Sequence, residues 1–172
     1  MIKPPSLQND YTLCSEYDDA LDLPEVPKLG DDASAEDRAT AKKLSDEREQ
    51  KLKTARDHGS WDSLVKQGRT AVRFHFRQLG RSAIHWWLAE IERGNLSNVE
   101  SSELLFRLAL KSVDGVTFPV PLKHDNGKFP MLSVASMDAV YAIDGNSGVG
   151  LMIVGELTYL VSERARGLRP LS

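Results

Sequence analysis

The sequence has a single cysteine, few aromatic residues and only short apolar runs. Cys14 is the only cysteine among 172 residues, so no disulfide bond can form within the chain. Apolar runs such as Leu151 to Val154 fall far short of the roughly 20 residues that a membrane-crossing helix needs. Residues 1–5 lack the apolar core of a secretory signal peptide. These absences predict a cytoplasmic protein that does not enter a membrane.

Recognisable catalytic and metal-binding patterns are also missing. No Gly-x-Ser-x-Gly motif occurs, and no two histidines have the i, i+4 spacing of a helical zinc site. The segment from Gly145 to Gly150 resembles the start of a phosphate-binding loop, but Leu151 and Met152 stand where a lysine and a hydroxyl residue are needed. We interpret it as a flexible loop between helices. The sequence therefore predicts a protein that is not an enzyme and holds neither a metal nor a cofactor. The remaining catalytic alternative is a site built from distant carboxylates, such as Glu103, Asp114 and Asp138.

Charge is distributed unevenly along the chain, although the net charge is only -3. Residues 1–37 contain ten acidic and two basic side chains, whereas residues 38–94 contain seven acidic and thirteen basic ones. An acidic end beside a basic segment predicts either docking of the chain on itself or binding to two oppositely charged partners.

The N-terminal part predicts an extended acidic arm followed by an exposed polar helix. Residues 1–33 are rich in proline and acidic residues, so they bury too little apolar surface to offset the entropy of ordering them. Residues 34–58 consist mostly of good helix formers, and Ser34 and Asp37 stand in capping-box positions. The helix has few apolar residues and is followed by Gly59, which predicts an exposed helix that ends there.

Residues 60–172 predict a mostly helical globular domain with a β-hairpin near 116–132. The apolar periodicity predicts helices at 61–79, with a break near Gly80 before a further helix that ends at Gly94, and at about 99–112, 134–143 and 148–166. Ser97 and Ser147 are the expected caps of two of them. Apolar residues alternate over 116–122 before an Asn126-Gly127 turn, which indicates the hairpin. The predicted fold class is mainly α: a helical domain with a small β-hairpin and an extended acidic N-terminal arm.

The most specific predicted surface is a stripe of five cations along the helix at 61–79. Their spacings of three and four residues place them on one flank of a helix. Such a stripe can be a solvated face, can bind an acidic protein surface, or can follow a phosphate backbone. Protein binding is favoured over nucleic acid because few stacking aromatics accompany the stripe. With two tyrosines of the arm and one tryptophan, the predicted partner-binding set is Lys66, Arg69, Arg73, Arg77, Arg81, Tyr11, Tyr17 and Trp86.

The C-terminal half resembles a group of viral assembly proteins. The resemblance lies in the strings from Glu103 to Gly115, Asn126-Gly127 and Leu132 to Asp138, which read as helix, small hairpin and helix before a closing helix. This layout is similar to that of the tail assembly chaperones and small morphogenesis proteins of tailed bacteriophages. The resemblance implies a non-enzymatic morphogenesis protein that binds other structural proteins of the particle, in the host cytoplasm or in the virion. Two alternatives stay open: a virion structural or adaptor component whose arm threads between subunits, and a nucleic-acid-binding accessory protein. A homo-oligomer is compatible with each of them.

Overall fold

The computed structural model describes residues 10–125, 127–143 and 148–167, which divide into two units. Within these ranges, residues 10–17 and 72–167 form the larger unit, and residues 18–71 form the smaller one. The predicted boundaries at 33 and 60 differ from this division. Residues 10–17 join the larger unit although they were assigned to the arm, and the polar helix shares its unit with the segments on both sides of it.

The smaller unit is built on helix α1, Ala35–His58, which agrees with the predicted polar helix. Ser34 and Asp37 form the expected capping box, and Gly59 ends the helix with a left-handed φ of 62°. Its exposed side chains form i, i+4 ion pairs, such as Lys42 with Asp46 at 2.9 Å. Only a short set of its side chains is buried: Ala41, Leu52 and Ala55.

One antiparallel bridge and one side-chain hydrogen bond hold residues 20–24 on the rest of the smaller unit. Leu21 and Val65 form an isolated antiparallel bridge. The Asp22 amide donates to the Leu64 carbonyl at 2.6 Å, next to a 3-10 turn at Asp62–Leu64. The Arg48 guanidinium of α1 donates to the Pro24 carbonyl at 3.1 Å. These bonds fix residues 20–24 on the unit, so this part of the predicted arm is not free.

The larger unit contains a three-stranded antiparallel sheet that the sequence analysis did not predict. Its strands are β1, Tyr11–Leu13; β2, Arg73–Phe76; and β3, Leu110–Asp114, in the order β1-β2-β3. Strand β2 lies in the middle, and its Phe74 and Phe76 side chains are fully buried. The prediction of an unpacked arm was therefore wrong for residues 11–15, because Leu13, Cys14 and Ser15 are buried. Residues 1–9 of that arm lie outside the described residues.

Helices α2, Arg81–Glu92, and α3, Asn98–Ala109, follow the sheet strand β2 and precede β3. The predicted break near Gly80 is the start of α2, and the predicted cap of α3 is confirmed because Ser97 and Glu100 form a capping box. Helix α3 was predicted to continue to 112 but ends at Ala109, where the chain turns into β3. The Trp87 indole N–H donates to the Ser101 carbonyl at 2.8 Å and joins the two helices.

The predicted hairpin is present in a shorter form. Strands β4, His124–Asp125, and β5, Met131–Leu132, pair antiparallel on either side of the expected turn. Residues 116–122 were predicted as a strand but carry no strand, because the prolines at 119 and 121 cannot donate to a ladder. Residue 126 of the turn lies outside the described residues.

Helices α4, Val134–Tyr141, and α5, Val149–Gly167, complete the larger unit, close to their predicted ranges. Helix α3 contacts α2, α5 and β5, and α4 contacts α5. The Glu156 carboxylate of α5 accepts the Ser15 hydroxyl at 2.5 Å and the Glu16 amide at 3.1 Å, so the segment after β1 is held on this helix. The Ser147 cap and residues 144–147 of the glycine loop lie outside the described residues.

The capping box of α1 gives a first test. We expect Ser34→Ala to lower the free energy of unfolding by about 1 kcal/mol, because the Asp37 amide loses the hydroxyl that it donates to at 3.1 Å. Ser45→Ala, at an exposed position in the same helix, is the control and should be neutral or slightly stabilising. Urea denaturation followed by helical circular dichroism measures both variants, and equal stability of the two would contradict the role of the cap.

Candidate functional site

The predicted basic helix at 61–79 is not present. Within that range the structure has a 3-10 turn at Asp62–Leu64 and strand β2 at Arg73–Phe76. The reason is that burial alternates along this segment with a period of two residues. Phe74 and Phe76 are buried, whereas Arg73 and His75, which alternate with them, are only partly exposed. Pairing of β2 with strands on both sides overrides the local helix preference. The helical spacing of the five cations therefore does not produce a continuous stripe.

Three of the five predicted cations have separate roles: Lys66 and Arg69 both bind Asp19 in the smaller unit, and Arg73 lies on β2 of the larger unit. Lys66 donates to the Asp19 carbonyl at 2.9 Å, and Arg69 forms an exposed ion pair with the Asp19 carboxylate at 2.9 Å, both in the smaller unit. Arg73 stands on β2 in register with Asp114 of β3. None of these three residues contributes to the cleft described next, which Arg77 and Arg81 share.

The remaining two cations, Arg77 and Arg81, line one cleft in the larger unit, at the start of α2. Its volume is about 270 Å³. Its lining comes from the chain that leaves β2 and enters α2, from Leu108 of α3 and from the segment before β5. The residues that matter most for its chemistry are Arg77, Gly80, Arg81, Ser82, Phe129 and Pro130. We call this site the arginine cleft.

Arg77 is held in the arginine cleft by the end of the sheet. Its amide donates to the Ala109 carbonyl at 2.7 Å, and its guanidinium reaches the Leu110 carbonyl only at 3.5 Å. The buried Nε has no hydrogen-bond partner among the described residues. Burial lowers the pKa of the guanidinium, and the charge of Asp10 partly offsets this. Arg77 remains a cation at neutral pH and keeps donor capacity for a further acceptor.

Arg81 is the first residue of helix α2 and is exposed. Gly80 is the N-cap and provides no side-chain bond, so the first amides of α2 are not capped by a side chain. Arg81 is exposed and forms no ion pair or side-chain hydrogen bond within the described residues. The two guanidinium groups and the helix dipole act in the same direction and favour an anion.

An aromatic residue also lines the arginine cleft. Phe129 lines the arginine cleft and contacts Trp86 of α2, with ring centroids 5.6 Å apart and planes inclined by 50°. The Lys128 ammonium lies 5.6 Å from the centre of the Phe129 ring and adds a third cation near the site. Trp86 was predicted at a protein contact, whereas Lys128 and Phe129 were missed. The available sequence signal for Phe129 was its position next to Pro130, shortly after the predicted Asn126-Gly127 turn.

The two predicted tyrosines have different environments. The Tyr11 ring stacks on Phe76 at 5.6 Å, and the Arg164 guanidinium lies 4.0 Å from its centre. Burial raises the pKa of Tyr11 to about 12, and Arg164 offsets part of that effect. Most of this ring is therefore engaged in the fold and cannot serve as an exposed docking group. Tyr17 keeps 41% of its surface exposed.

A polar network crosses the outer face of the sheet. The Thr12 hydroxyl lies 2.9 Å from Nδ1 of His75, and Nε2 of His75 lies 2.6 Å from the Asp114 carboxylate. This order of hydroxyl, imidazole and carboxylate also occurs in acyl-transfer enzymes. Here the Asp114 side chain is 69% exposed, and the three residues come from three neighbouring strands. We assign the network to cross-strand stabilisation of the sheet.

A larger depression of about 480 Å³ lies in the smaller unit, between α1 and residues 60–64. Two of its polar side chains are already engaged: Lys51 pairs with Glu47 at 3.3 Å, and Nδ1 of His58 lies 2.9 Å from the Thr54 carbonyl. It therefore offers less unpaired charge than the arginine cleft. Over the described ranges, no group of three or more histidine, cysteine or carboxylate side chains is arranged to hold a metal ion. In the same ranges, no helix has both the length and the apolar character that crossing a membrane demands.

Comparison of the chain with protein-family models, with curated proteins and with solved structures found no match. The arginine cleft is therefore inferred from the geometry of this structure alone.

Proposed function

We propose that this protein is a non-enzymatic assembly protein that binds acidic segments of other structural proteins through the arginine cleft. The observation that carries the proposal is the convergence of Arg77 and Arg81 on one cleft that Phe129 and Pro130 also line. Arginine forks bind carboxylates through two parallel hydrogen bonds, and aromatic residues and arginine are enriched at protein interfaces. The resemblance to phage morphogenesis proteins supports the choice of structural proteins as partners and of the host cytoplasm or virion as location.

An acidic protein segment suits the cleft better than a nucleic acid does. A phosphate backbone needs several cations in a row, and the stripe that would have supplied them is divided between separate places in the fold. Trp86 and Phe129, which contact each other, form one aromatic pair beside the cleft. Nucleic acid binding thus becomes an alternative outcome of the binding experiment. A threading arm is supported less, because residues 11–15 and 20–21 are largely buried.

Binding of a fluorescent ten-residue oligoglutamate peptide at low ionic strength tests the proposal. We expect Arg81→Glu to weaken binding by roughly tenfold or more, because a charge-assisted contact is replaced by repulsion. Fluorescence anisotropy measures the affinity, with oligoglutamine and a single-stranded DNA of equal length as comparison probes.

Arg93→Glu is the matched control, because it makes the same change of net charge at the other end of α2. Arg93 lies beside Glu90, away from the cleft. We expect this variant to bind oligoglutamate almost like the parent protein. Equal losses in both variants, no binding of oligoglutamate, or tighter binding of the DNA would each contradict the proposal.

A further inference from the structure

The chain itself carries an exposed acidic segment of the kind that the arginine cleft would bind. Residues 22–32 hold four acidic side chains and one lysine, and they contain no helix or strand. We call them the acidic segment. Its apolar side chains are partly exposed as well: Val26 keeps 39% and Leu29 keeps 41% of its surface accessible. The segment therefore presents carboxylates next to apolar groups, which matches the cations and the aromatic wall of the cleft.

The carboxylates of the acidic segment are not used within the fold. Glu25, Asp31 and Asp32 form no ion pair and no side-chain hydrogen bond with the described residues. The backbone is fixed instead, because Arg48 holds the Pro24 carbonyl and Arg38 donates to the Asp31 carbonyl at 3.0 Å. Exposed charges on a fixed backbone reach a partner with little loss of chain entropy.

Two prolines add to this preorganisation. Pro24 and Pro27 restrict φ and disfavour helical conformation in the residues before them, which limits the conformations of residues 23–27. Residues 22–29 contain no helix, strand or turn, and Glu25 is followed directly by Val26 there, so a carboxylate and an apolar group can enter a cleft together. The arginine cleft has lining residues for both groups, because Arg77, Arg81, Phe129 and Pro130 all line it.

We infer that the acidic segment of one copy of this chain docks into the arginine cleft of a second copy. This inference rests on the proposed function and names one partner for it. The supporting argument is charge complementarity: within the described residues, Glu25, Asp31 and Asp32 of the acidic segment and Arg81 of the arginine cleft form no ion pair and no side-chain hydrogen bond. The contact joins two different surfaces, so each copy keeps a free segment and a free cleft at its ends. Such a head-to-tail contact repeats into rings or open chains.

The experiment uses two neutralising variants of the full chain. Arg81→Gln removes one of the two cations of the cleft, and the triple change Glu25→Gln, Asp31→Asn and Asp32→Asn removes three of the four acidic charges of the segment. Sedimentation velocity at low ionic strength follows the association of each variant and of an equimolar mixture of the two. We expect the parent protein to associate further as its concentration rises and to dissociate as salt screens the contact. Each variant alone should associate at least tenfold more weakly.

The mixture is the decisive measurement. The segment variant retains an intact cleft, and the Arg81→Gln variant retains an intact segment, so one contact can form between them. Mixing should restore dimers but no longer assemblies, because the second contact is disabled on both remaining ends. Arg93→Gln, which changes the same charge outside the cleft, should associate like the parent protein.

Three results would overturn the inference: a parent protein that stays monomeric at all concentrations, variants that associate as strongly as the parent, or a mixture that forms no dimer. These outcomes are separable from the proposed function. If the chain is monomeric but still binds oligoglutamate in an Arg81-dependent manner, the inference fails and the proposed function stands. If oligoglutamate does not bind, the proposed function fails first.

Discussion

Gly150→Ala is expected to destabilise the protein by about 3 kcal/mol or more, because the added methyl group meets backbone atoms that cannot move aside. A Cβ at this position would lie 2.0 Å from the Tyr141 carbonyl oxygen and 2.8 Å from its carbonyl carbon. Both distances are far below van der Waals contact. Gly150 stands in the first turn of α5, and Tyr141 is the last residue of α4, so the glycine allows the two helices to approach closely.

Gly155→Ala in the same helix is the matched control. A Cβ there would meet no atom within 4 Å, and the residue is exposed. Because glycine in a helix interior is less favourable than alanine by about 1 kcal/mol, this variant should be as stable as the parent or more stable. The two substitutions add the same atoms to the same helix, so their difference isolates the contact between α4 and α5.

Urea denaturation followed by circular dichroism and by tryptophan fluorescence measures both free energies of unfolding. The expected order is Gly155→Ala at or above the parent protein and Gly150→Ala well below it. A Gly150→Ala variant with parental stability would show that α4 and α5 do not approach each other as described.

The helices were predictable where their signals are local. The capping boxes at Ser34 and Ser97 and the stop at Gly59 depend on residues within one turn of each other, and all three were confirmed. The Asn126-Gly127 turn similarly marked the hairpin of β4 and β5. At the two capping boxes and at Gly59, the sequence and the final fold favour the same backbone conformation, so no distant contact is needed to decide it.

The three-stranded sheet was not predictable in the same way. Its strands come from residues 11–13, 73–76 and 110–114, so each is short and gains its hydrogen bonds from a distant segment. The alternation of Phe74 and Phe76 with Arg73 and His75 was the available signal. It spans only four residues and was hidden in a run of cations whose spacing also fits a helix.

The candidate site was predictable only in part for the same reason. Arg77 and Arg81 were named from the sequence on the assumption of a helical stripe that is absent, and Trp86 was named separately as a residue at a protein contact. They come together because Arg77 follows β2, Arg81 starts α2 and Trp86 lies farther along that helix. Phe129 and Lys128 join them from a distant segment, through the position of the hairpin. Only tertiary structure brings these groups to one cleft.

Phe76→Ala is expected to lower the free energy of unfolding by about 3–5 kcal/mol, the range for removing a buried phenylalanine side chain. Phe76 is fully buried in the central strand β2. Its ring stacks on Tyr11 at 5.6 Å and meets Phe106 of α3 edge-on at 5.5 Å. The ring thus joins the sheet to the helices, and its removal leaves a cavity between them that these elements cannot easily fill.

Tyr159→Ala is the matched control, because it also truncates an aromatic residue but at a position on α5 that is 62% exposed. We expect its free energy of unfolding to change by no more than about 0.5 kcal/mol, as is usual at surface positions.

A comparison of Phe76→Ala with Tyr11→Leu tests strand β2 itself. If residues 61–79 formed the predicted helix, strand β2 would be absent and the Tyr11 ring would not stack on Phe76. The effects of Tyr11→Leu and Phe76→Ala on the free energy of unfolding would then be additive. In the sheet described here the two rings are in contact, and a double-mutant cycle should show coupling of roughly 0.5–1.5 kcal/mol.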